Sequence, residues 1–109
     1  MANIDVHVVL DKLKEEVINI ALSTVKNYKT EAKRDALNLL EEMKGNLKTW
    51  TLQLAEGKLS KEDFEYLVLG QKEVIEMNAL KQAGLSLVKA DEFKNKLLNL
   101  VIKTVVGLI

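Results

Sequence analysis

The chain has no cysteine, which removes disulfides, thiolate metal clusters and thiol nucleophiles from consideration. It has no proline, so no residue in it breaks a helix by ring geometry. Aromatic residues make up only 5% of it, too few for stacking platforms or aromatic cages. Neither sign of charge dominates: sixteen Lys and Arg balance sixteen Asp and Glu. A nucleic-acid binder is expected to be markedly basic, so nucleic acid is not an expected partner. No stretch of eighteen uncharged apolar residues occurs, so no ordinary membrane-spanning helix is expected.

Catalytic patterns are equally scarce. His7 is the single histidine and lies between Val6 and Val8. There is no Glu-x-x-His, so the di-iron carboxylate signature of helical bundles is missing. The acidic pairs Glu15-Glu16, Glu41-Glu42, Glu62-Asp63 and Asp91-Glu92 are sequence neighbours. Neighbouring helical side chains diverge, so none of these pairs makes a shared acid–base dyad. The glycines at 45, 57, 70, 84 and 107 are scattered, with no phosphate-cradling loop. Lys26, Lys29, Lys33 and Arg34 form a basic cluster, but Glu31 and Asp35 interrupt it, as on a solvated face. The expectation is a protein that is not an enzyme and takes no metal and no cofactor. The first residues lack a basic region, and Asp5 and Asp11 interrupt the early apolar run. That argues against a secretory signal and gives the cytoplasm as the expected location.

What the sequence does have is helical periodicity. Hydrophobic residues are 48% of its 109 positions. Apolar or small residues recur from Val6 through Leu13, Val17, Ala21, Val25, Tyr28, Ala32, Ala36, Leu39, Met43, Leu47 and Trp50 to Leu54, about 3.7 residues per step. The phase never slips, which predicts one helix over about 4–56. Thr30 as a cap, in a stretch holding only Tyr28 and Ala32 as stripe members, marks where that helix would break. Gly57 follows the last periodic residue and suits a left-handed helix end. Ser60, three residues before Asp63, suits a helix N-cap. These predict a turn at 57–60 and a helix over about 61–84. Asp91 is expected to cap a C-terminal helix over about 91–109. The fold class is all-α: a long antiparallel helical hairpin in one domain, packing into an oligomeric bundle. The competing arrangement cuts the first helix near 27–30 and gives a compact up-down four-helix bundle.

The C-terminal helix is the most unusual segment. It holds Phe93, Leu97, Leu98, Leu100, Val101, Ile102, Val105, Val106, Leu108 and Ile109 around one polar strip through Lys96, Asn99 and Lys103. So much aliphatic surface needs neighbours on several sides. These ten residues are therefore expected at an interface between copies of the chain, or against a membrane surface. Asn78, in an amide-bearing row with Gln71 and Gln82, is expected to fix helix register. The functional expectation is a self-assembling structural protein whose partner is itself. Membrane docking through 93–109, or carriage of an apolar ligand in a bundle cavity, are the competing expectations.

Overall fold

A computed structural model describes residues 5–109. Among these described residues five α-helices follow one another: α1 Val6–Thr24, α2 Lys29–Ala55, α3 Lys61–Gly70, α4 Asn78–Gln82 and α5 Leu87–Leu108. The expected start near residue 4 lies outside the described residues.

The first expected helix is not continuous. Val25 leaves helical geometry (φ −115°, ψ 81°), a single 3-10 turn covers Lys26–Tyr28, and α2 then runs back along α1. The reversal is visible in one groove, where Leu10, Asp11 and Lys14 face Leu37, Leu40 and Lys44. No glycine or proline marks this turn. The driving force is burial: Leu13, Val17 and Ala21 of α1 and Ala32, Ala36 and Leu39 of α2 all reach the same core. A large aliphatic side chain gains about 1.5–3 kcal/mol on burial. A straight helix would leave that gain to other chains.

The α2–α3 turn is as expected. Gly57 has φ 76°, and the amides of Lys58 and Gly57 donate to the carbonyls of Gln53 and Leu54 at 2.8 and 3.2 Å. That is the pairing of a Schellman helix end. Ser60 caps α3, its hydroxyl accepting from the Asp63 amide at 3.0 Å.

The expected helix over 61–84 is also interrupted. After α3 a 3-10 turn spans Gln71–Glu73, a non-helical link follows, and α4 is a helix of 5 residues. Ile75, Met77 and Leu80 are all fully buried. Positions 75 and 77 face opposite sides of a continuous helix, so breaking it is what lets all three enter the core. Gly84 (φ 104°) ends α4, and Leu85 donates to the Leu80 carbonyl. α5 then begins at Leu87 rather than near 91. Its cap is Ser86, which accepts from the Lys89 amide at 3.3 Å, and Asp91 lies inside the helix.

Each long helix reverses the one before it. Phe93 and Lys96 of α5 lie beside Thr24 and Val25 at the end of α1, and Lys94 reaches Lys72 in the 3-10 turn that follows α3. α1 packs on α2 and α5, α3 packs on α5 and α2, and α4 rests on α2. The result is an up-down bundle of α1, α2, α3 and α5, with α4 as a short connector. Its accessible surface is 6570 Å², close to the roughly 6100 Å² of a compact single chain of 12.3 kDa.

Candidate functional site

The bundle interior takes up most of the residues expected at an interface. Phe93, Leu97, Leu98, Val101 and Val105 are buried in the chain's own core. Leu100, Ile102 and Val106 are half-buried against it, and only Leu108 and Ile109 are exposed. Of the ten residues expected at an interface, five are thus closed inside the chain's own core and five keep some exposure. The α1–α2 hairpin and α3 supply the neighbours that its sequence demands. Asn78 is exposed at the start of α4, so it is no buried register amide within this chain. His7 is exposed, and Trp50 is half-buried against the core.

Two charged side chains near the 71–80 link stand out. Asp35 of α2 is buried, and its carboxylate accepts from the amides of Ala79 and Leu80 at 3.0 and 2.8 Å. These are orphan donors of the first turn of α4, whose own N-cap residue, Met77, supplies no side-chain cap. Lys94 of α5 has only 12% of its side chain exposed. Its ammonium donates to the carbonyls of Lys72 and Ile75 at 2.8 and 3.0 Å, and Asp91 lies 3.8 Å away. An anion meets free N–H groups and a cation meets free carbonyls, the arrangement that peptide dipoles favour. Both groups hold backbone of the 71–80 link.

Sequence reasoning missed this pair. The charged neighbours of Asp35 suggest a solvated face, yet it sits among Ala32, Ala36 and Leu39 on the apolar stripe. An acid in an apolar row was the signal. Lys94 carried no comparable mark.

Ion pairs between exposed side chains contribute little to stability. The ion pairs among the described residues join Lys12 to Glu16, Lys58 to Glu56, Lys81 to Glu76 and Lys94 to Asp91. The hydrogen bond to Glu16, and then the charges of Glu16 and Glu15, hold the Lys12 ammonium above its ordinary pKa. Among the described residues no three His, Cys, Asp or Glu gather as a metal site. No described helix is long and apolar enough to cross a membrane.

Apolar surface is the remaining feature. Tyr66 is 78% exposed, Val74 72%, Val88 69% and Leu87 64%. Tyr66 and Trp50 both line an open groove of about 560 Å³ between the last part of α2 and the end of α3. Leu87 and Val88 lie on the first turn of α5, next to Leu85 and Lys89 of a second groove. Searches against protein families, curated proteins and solved structures give no match for this chain.

Proposed function

We propose that the protein is a non-enzymatic helical structural protein that self-associates through apolar side chains outside its core. The observation that carries this reading is the exposure of Tyr66, Val74, Leu87 and Val88 on a chain whose core is otherwise closed. Exposed apolar side chains act as an interaction surface where they gather into one patch, as the adjacent Leu87 and Val88 can. The absence of net charge supports the same reading, because copies do not repel one another at long range. The buried charges Asp35 and Lys94 are engaged by backbone, so a catalytic role gains no support from them. Membrane docking through 93–109 loses support, because the apolar face of that helix is spent inside the bundle. Carriage of a ligand gains little from grooves that open to solvent.

Sedimentation equilibrium over a wide concentration range tests the reading. The apparent mass is expected to rise above 12.3 kDa as concentration increases. A constant monomer mass up to millimolar chain overturns it.

A further inference from the structure

We infer that residues 71–83 form a detachable strap, held against the bundle by two charged side chains on different helices, which opens as one unit while the bundle stays folded. Strap opening needs no second copy of the chain, so it is independent of self-association.

The bundle closes without the strap. α1 packs on α2, α2 on α3, α3 on α5 and α5 on α1, so these four helices complete a ring among themselves. The strap lies across that ring, with α4 on α2 and α5 and the 3-10 turn on α5. Lifting it away breaks none of the contacts that complete the ring.

The strap does not hold itself. α4 has 5 residues, far below the about 12–15 at which an isolated helix is even marginal in water. No side chain of its own caps α4, and the ion pair of Lys81 with Glu76 is internal to the strap. What fixes the segment comes from elsewhere in the chain. Ile75, Met77 and Leu80 are buried in the common core. Lys94 of α5 grips the first half through the carbonyls of Lys72 and Ile75. Asp35 of α2 grips the second half through the amides of Ala79 and Leu80. Segments held by so few buried contacts occupy the low end of local stability.

A glycine stands at each end. Gly84 has φ 104° and ends α4. Gly70 keeps ordinary helical geometry (φ −61°, ψ −22°), and a Cβ built on it meets nothing within 4 Å. The closed form therefore does not call for glycine at position 70, whereas rotation about that residue during opening does. Opening uncovers the apolar faces of α2 and α5 beneath Ile75, Met77 and Leu80 and releases both clamping charges. The strap is thus a conformational gate over buried apolar surface.

Two methionines read the gate directly. Met77 lies on the strap and Met43 in the middle of α2, and they are equally buried, at 1% and 0% exposure. Hydrogen peroxide transfers one oxygen to an accessible methionine sulfur, giving the sulfoxide and water. Peptide mass spectrometry of the treated full chain follows each residue. In wild type, Met77 is expected to oxidise about tenfold or more faster than Met43. Asp35→Ala and Lys94→Met should each raise the Met77 rate about tenfold again and leave Met43 unchanged. Hydrogen exchange should show the same footprint, 71–83, for both variants, although positions 35 and 94 lie on different helices. If Asp35→Ala fails to fold, Asp35→Asn supplies the same comparison with a smaller rise, and the wild-type ratio stands without either. Equal oxidation of Met77 and Met43 in wild type means that the strap leaves only when the whole chain unfolds, and overturns the inference. Separate footprints, with Asp35→Ala loosening α2 alone and Lys94→Met loosening α5 alone, overturn it as well.

Discussion

The carboxylate of Asp35 lies 2.8 Å from the amide nitrogen of Leu80, 45 residues further along the chain. A side chain of α2 thus does for α4 what a local N-cap does elsewhere. Removing it in Asp35→Ala strands the buried Leu80 amide and its neighbour at Ala79, with an expected loss of about 2–4 kcal/mol. Asp35→Asn keeps one acceptor oxygen and should lose less than Asp35→Ala. Urea unfolding followed by circular dichroism measures both. An Asp35→Ala protein within about 0.5 kcal/mol of wild type, the range of ordinary surface changes, contradicts the capping role.

Lys94 holds the other side of the same link. Lys94→Met keeps most of the buried stem but frees the carbonyls of Lys72 and Ile75. Hydrogen exchange should then speed up across 71–83 well before it does in α1 and α2, because the link opens as a local unit. Uniform acceleration along the whole chain is the opposing result.

The helix starts can be checked by single hydroxyl deletions. Ser60→Ala and Ser86→Ala should each cost about 1 kcal/mol, the usual value of a lost N-cap. Asp91→Ala should change little, since Asp91 lies within α5 and its contact with Lys94 is long, at 3.8 Å. The reverse ranking, with Asp91 costly and Ser86 neutral, restores a helix start near 91.

Much of this architecture was legible in the sequence. Gly57 and Ser60 announce a helix end and a helix start through conformation and hydrogen bonding that few other residues supply. The stripe from Leu13 to Leu54 names most of the buried side of α1 and α2. The break at Val25 stayed hidden for a physical reason. A hairpin that places Val25 and Tyr28 against the same core preserves the spacing of apolar residues, so periodicity reports burial but not direction. The break after α3 was signalled only indirectly, by apolar residues on several faces of a supposedly continuous helix. The tertiary cap from Asp35 depends on which segment α2 meets, and local pattern does not carry that.

The place of α5 sets a further contrast. Leu98 is fully buried and Leu108 is 47% exposed on the same helix. Leu98→Ala should therefore cost about 2–5 kcal/mol, and Leu108→Ala a small fraction of that. Both losses should be the same at low and high chain concentration. A Leu98→Ala penalty that appears only in concentrated samples places α5 between subunits after all.

The chain folds back at Val25 and closes its own core. The sequence has no native cysteine, so spin labels at Asp11→Cys and Glu41→Cys report without background. Both positions line one groove between α1 and α2. Pulsed electron resonance on labelled chain diluted into unlabelled chain should give a short separation, about the 8–10 Å of packed helices plus the label arms. A separation near 45 Å, the length of 30 residues of unbroken helix at ~1.5 Å each, contradicts the fold and everything built on it.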